Sequence, residues 1–170
     1  KHIMGMFDFI KEAGEKLLGH GPAKEAQEIA TASPTPENLE VLSQTASEAI
    51  TSYINSMNLE IEELAISFDA PTATVTVAGI APDQATKEKV LLCCGNVANV
   101  SAVQDLMTVN SSEPESEMYI VVRGDTLSKI SKQFYDTPNK YQQIFEANEP
   151  MLSHPDKIYP GQVLRIPAGE

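Results

Sequence analysis

Cys93 and Cys94 are the only cysteines in this 170-residue chain, and histidine occurs only at positions 2, 20 and 154. Adjacent cysteines on a predicted helix point in different directions, so no structural disulfide joins them, and they read as reduced core residues. No histidine lies near them in sequence to complete a soft-metal site. His20 sits in a Gly/Pro connector and His154 beside Pro155. Neither has a nucleophile and an orienting carboxylate at a recognisable spacing, which sets catalysis aside. Glu62 and Glu63 occupy neighbouring strand positions and face opposite sides, as solvated carboxylates do. The glycine patterns of phosphate loops and the D-x-D-x-D-G pattern of calcium loops are both missing.

What remains is a stretch with no reactive side chain. In "CCGNVANV", residues 93–100, nothing from Gly95 onward titrates. It can offer only main-chain oxygens. A helix ending there leaves its last carbonyls without intrahelical partners, and the helix dipole adds partial negative charge. If Gly95 adopts a left-handed conformation, the carbonyls that follow can converge; an ordinary Schellman cap explains the same residues equally well. Neutral carbonyl oxygens can replace the hydration shell of a large monovalent cation. Such a site leaves no side-chain signature.

Charge is uneven along the chain. It carries 24 acidic and 12 basic residues; the first 117 residues hold 18 and 6 of them, the remainder 6 and 6. The acidic part argues against nucleic acid or an anionic membrane as partner, since both require a basic footprint. A cation is the natural counterpart of such a field, though solubility alone also accounts for it. Lys1-His2-Ile3 before Met4 read as a cloning remnant. Asp8, Lys11 and Glu12 follow too soon for a signal-peptide core, and no apolar run approaches the ~20 residues of a membrane span. A cytoplasmic location is expected.

The elements that would position these residues follow from periodicity. Met6, Phe9, Ile10, Ala13 and Leu17 predict an amphipathic helix over 6–18. "GHGPAKEAQEIATASPTP" breaks the pattern and reads as a connector with one poor helical turn. Thr35 caps a helix opened by Pro36, with Ala46, Ala49, Ile50, Tyr53, Ile54 and Met57 on its apolar face. Leu64, Ile66 and Phe68, then Ala73, Val75 and Val77, alternate around "DAPT" as a hairpin. Pro82 opens another helix, with Val90, Cys93, Cys94 and Val97 on one face and Gly95 as its C-cap. Val103 to Val109 supply a strand. "NSSEPESE", 110–117, has no apolar residue and is expected to be a linker. Beyond it come a strand over 118–122, helices over 126–135 and 140–148, and a strand over 162–166. No long internal repeat is present.

"YIVVRGDTLSKISKQFY", "IFEAN" and "IYPGQVLRIP" resemble a LysM domain over 118–167. Asp125 or Thr126 would cap its first helix, with Leu127, Ile130 and Phe134 facing inward. Residues 37–109 resemble a BON domain, with "ATVTVAG" as the best marker. "MGMFDFIKEAGEKL", "KEKVLLCCGNVANV" and "ANEPMLSHPDKIYPGQVLRIP" together resemble the small bacterial cytoplasmic potassium-binding proteins that join the two domains. The resemblance implies an α+β fold of two small domains: a BON-like αββαβ sandwich over 37–109, then a βααβ LysM domain over 118–170. Residues 1–36 supply the amino-terminal helix and connector.

It also implies a function. The chain would be a soluble, monomeric K+-binding protein, sensing or buffering one monovalent cation. Its oxygens would be the main-chain carbonyls of Gly95, Val97 and Val100 with those of Ile10, Ala13, Gly14 and Glu15. Binding would order the amino terminus and the domains. The alternative is a LysM protein that binds N-acetylglucosamine polymers such as peptidoglycan. Its groove would be built from Gly124, Asp125, Thr126 and Leu127 with Met151, Leu152 and Ile158.

Overall fold

A computed structural model of the protein describes residues 21–168 and the backbone of residues 6–8. In chain order the elements are β1 (Met6–Asp8), α1 (Gly21–Ala32), α2 (Pro36–Ser56), β2 (Glu62–Asp69), β3 (Thr74–Asp83), α3 (Gln84–Gly95) and β4 (Ala102–Ser111). Then follow β5 (Glu117–Ile120), α4 (Leu127–Tyr135), a 3-10 turn (Pro138–Lys140), α5 (Tyr141–Ala147) and β6 (Val163–Ile166). The fold is α+β, with αββαβ order in α2 to β4 and βααβ order in β5 to β6.

Local chemistry explains most boundaries. The Thr35 hydroxyl accepts from Asn38 N–H at 3.1 Å, and Pro36 follows where no N–H is needed, so α2 starts there. The Thr126 hydroxyl caps α4 in the same way by accepting from Lys129 N–H at 3.1 Å. Pro82 does not open a helix as expected. It lies within β3, next to its last residue, and Asp83 caps α3 by accepting from Thr86 N–H at 2.8 Å. Hydrogen bonding by the Thr86 hydroxyl, and then by its N–H, holds the Asp83 carboxyl below its ordinary pKa.

The first sheet has the order β1-β4-β3-β2. β2 and β3 form the expected hairpin, while β3 runs parallel to β4 with α3 as the crossover. Opposite Gly79 the register of β2 slips between Glu62 and Ala65, and Glu63 has a positive φ of 55°. Gly79 itself has φ 150°, and a Cβ there would lie 2.8 Å from Ile61 Cγ2. Only glycine fits this bulge.

Two expectations at the amino terminus fail. Met6–Asp8, predicted as the start of a helix, is a strand antiparallel to β4, with Asp8 opposite Ala102. The edge of β4 left its backbone groups to be paired, and that pairing outweighs the helical spacing of Met6. The rest of the predicted 6–18 helix lies outside the described residues. The connector, in turn, contains the twelve-residue helix α1. It buries Ala23, Ala26 and Ala30 against α2, with Leu42 in the contact. Alanines let two helices approach closely but bury too little surface to register as apolar periodicity.

The main core lies between the first sheet and α2 and α3: Ile50, Ile54, Val75, Val77, Val90, Cys93, Cys94, Val97, Val100 and Val103. The LysM half has its own, built from Val121, Leu127, Ile130, Ile144, Leu152, Leu164 and Ile166.

Candidate functional site

Residues 90–95 at the carboxyl end of α3 are buried. Cys93 and Cys94 pack in the main core, and burial pushes the Cys93 thiol up to about 12 and raises that of Cys94 well above its ordinary value. Gly95 is the last helical residue and has no positive φ, so the expected left-handed turn at Gly95 does not occur. The helix instead closes at Asn96, φ −87°, whose N–H donates to Leu92 O at 2.9 Å. The chain turns three residues later. Asn99 adopts φ 76°, and Val100 N–H donates to Val97 O at 3.2 Å. Asparagine tolerates this conformation, because its short side chain can satisfy the local backbone.

Val97 and Val100 are both fully buried. Ser101 then ties the segment to the β2–β3 turn, donating from its N–H to Ala73 O and from its hydroxyl to Thr72 O, each at 2.8 Å. Among the described residues no backbone N–H donates to the Gly95 carbonyl. Of the other expected ligands, Ile10, Ala13, Gly14 and Glu15 lie outside the described residues. β1 nevertheless delivers the chain next to this segment, since Asp8 pairs with Ala102, two residues beyond Val100. Among the described residues no three or more His, Cys, Asp or Glu side chains gather as a metal site.

The residues expected to form the glycan groove differ in exposure. Gly124 and Thr126 are exposed, but Leu127 and Leu152 are core residues of the LysM half and Ile158 packs on that core. Met151 packs against the main core of the first half. With Tyr53, Leu92 and Asn96 it borders a cavity of about 190 Å³ between the two halves.

The joint between the halves rests on residues that periodicity passed over. Along α3 and its cap, Gln84, Glu88, Leu92 and Asn96 recur every four residues on one face, and from this stripe Glu88 and Asn96 bond to the LysM half. Glu88 Oε1 accepts from Arg165 Nε at 2.8 Å; its Oε2 accepts from Gln84 Nε2 at 3.0 Å and Ser116 N–H at 2.9 Å. Arg165 also donates to Ala147 O at 2.9 Å and to the Ser116 hydroxyl at 3.1 Å. Burial alone would raise the Glu88 pKa, but the bonds from Gln84, Ser116 and Arg165 together hold it below the ordinary value. Ser116, within the expected linker, is part of the joint. An arginine within the otherwise apolar "VLRI" was the one sequence sign of a buried partner.

Comparison with known proteins agrees with this architecture. Residues 119–167 match the LysM domain. Over 172 aligned residues the chain is 39% identical to the potassium binding protein Kbp of Escherichia coli O6:H1, covering 96% of this chain and 99% of that protein. This chain belongs to the Kbp family. A further relative, an uncharacterized protein of Deinococcus radiodurans, is 46% identical over 50 residues, which are 29% of this chain and 19% of that protein. The stretch aligned with Kbp spans both halves of the chain. No helix among the described residues is long and apolar enough to cross a membrane.

Proposed function

We propose that this chain is a cytoplasmic, monomeric K+-binding protein without catalytic activity. It holds one ion through the main-chain carbonyls of Gly95, Val97 and Val100, joined by Ile10 and Ala13, with Gly14 and Glu15 at the margin. The relative that matches nearly end to end is named for potassium binding. The observation that carries the assignment to this segment is the pairing of Asp8 with Ala102. It brings the amino-terminal chain to the buried helix end where Val97 and Val100 lie. Partial negative charge at a helix carboxyl end favours a cation there. Carbonyl oxygens suit a large monovalent ion better than a hard divalent one. On this reading the ion orders the amino terminus against β4 and favours the closed joint between a BON-type domain over 37–109 and the LysM domain.

Thermal melts in chloride salts of Li+, Na+, K+ and Rb+ test the proposal. A ligand bound only by the folded state raises its stability with concentration. The midpoint should rise with K+ and least with Li+; equal midpoints in all four salts would sink the reading.

The LysM match supports a second reading, binding of N-acetylglucosamine polymers. Against it, Met151 is turned to the first half and Leu152 into the LysM core. Retention of the full chain on insoluble peptidoglycan would favour it.

A further inference from the structure

β6 belongs to a two-stranded sheet, so one edge has no strand beside it. Leu164 and Ile166 lie opposite Tyr119 and Glu117 of β5, whereas the amides of Val163 and Arg165 point away. Unpaired groups on a buried edge are costly, and two asparagines satisfy them. Asn148, from the LysM half, accepts from Arg165 N–H at 2.9 Å and donates to Arg165 O at 3.0 Å. Asn96, from the first half, does the same for Val163: its Oδ1 accepts from Val163 N–H and its Nδ2 donates to Val163 O, both at 2.9 Å. Each side chain imitates the donor–acceptor pair of a neighbouring strand. The Asn148 pair is internal to LysM, while the Asn96 pair spans 67 residues and joins the halves.

Asn96 stands between Gly95 and Val97, and its N–H closes α3 on Leu92 O. Its side chain holds β6 and so restrains the peptide planes on either side: the one before carries the Gly95 oxygen, and the one after fixes the amide of Val97, whose own carbonyl lies one plane further on. Resting on the K+ reading above, we propose that Asn96 is a positioning residue. Through it, the placement of β6 sets the orientation of the Gly95 and Val97 carbonyls, and hence the cation affinity. The coupling is reciprocal, as linkage requires: an ion that fixes those carbonyls also tightens the Asn96–Val163 pair. Asn96 contributes no ligand oxygen of its own.

The test is a K+ titration of the full chain at constant ionic strength, balanced with choline chloride, with amide exchange followed at Val163 and Arg165. In the unmodified protein, K+ should slow exchange at Val163 and leave Arg165, held by Asn148, nearly unchanged. Asn96→Ala should bind K+ about tenfold more weakly, within the usual range of coupling between sites, and lose the K+ effect at Val163. Asn96→Asp keeps the acceptor for Val163 N–H but sets a carboxylate oxygen against Val163 O. It should therefore also bind more weakly, although it adds negative charge near the ion. Tighter binding by Asn96→Asp, or unchanged affinity in Asn96→Ala, overturns the positioning role while leaving the K+ site standing. Equal slowing at Val163 and Arg165 overturns it without any variant. Absence of K+ binding by the unmodified chain removes the underlying reading as well.

Discussion

Arg165 Nε donates to Glu88 Oε1 at 2.8 Å, joining residues 77 apart, with only 8% and 3% of the two side chains exposed. A buried pair contributes little net stability compared with apolar residues of the same size, because both ions lose their hydration. Breaking it is another matter. Arg165→Met strands a carboxylate among Gln84 and Ser116 and should cost about 3–5 kcal/mol in a urea melt. Because the folded Glu88 carboxyl titrates below its ordinary 4.5, its contribution is present above that pH and fades as the solution is acidified further. The melting temperature should drop more steeply below pH 4.5 in the parent protein than in Glu88→Gln. Parallel profiles would mean that Glu88 carries no such linkage.

Removing residues 1–15 should abolish any K+-dependent rise in melting temperature, since it deletes β1 and every proposed amino-terminal oxygen. Val97→Ala keeps its carbonyl and should only weaken the response, at a stability cost of roughly 2 kcal/mol for the lost methyl groups and the space they leave. A truncated protein that still responds fully to K+ places the ion elsewhere.

Both thiols should label slowly in the native protein, because burial lifts the Cys93 pKa to about 12 and that of Cys94 well above its ordinary value, leaving almost no thiolate. Cys94→Ser should lower stability by about 1–3 kcal/mol, as its hydroxyl would have to find a partner in an apolar pocket. The sign of the pH effect is the reverse of that at Glu88. The raised folded pKa means stability is retained below the ordinary thiol value of 9.0 and lost as pH climbs from there. Rapid labelling of both thiols at neutral pH would contradict the packing.

The LysM half should fold alone. Its core of Val121, Leu127, Ile130, Ile144, Leu152, Leu164 and Ile166 is separate from the main core. A fragment of residues 116–170 should melt cooperatively, at a lower temperature than the full chain, because Val163 loses Asn96 and Arg165 loses Glu88. A disordered fragment would refute a boundary within 110–117.

Where local forces decide, the residues were legible. Thr35 and Thr126 cap their helices, the alternation around "DAPT" makes its hairpin, and Val97 reads as core, because each depends on neighbours a few positions away. The carbonyl site had no such sign, since every residue carries a carbonyl oxygen and only the path of the backbone aims it. The turn shows this: Gly95 was the obvious candidate for a left-handed residue, yet packing carries the helix through it and leaves the turn to Asn99. Three further features came from distant partners alone. β1 exists because β4 has an open edge, and α1 because alanines fit against α2. Gln84 and Glu88 are buried and Asn96 half-buried because a strand some seventy residues later brings this stripe Arg165 and the backbone of Val163. Periodicity reports which face of an element avoids water; what meets that face is settled only when the chain closes on itself.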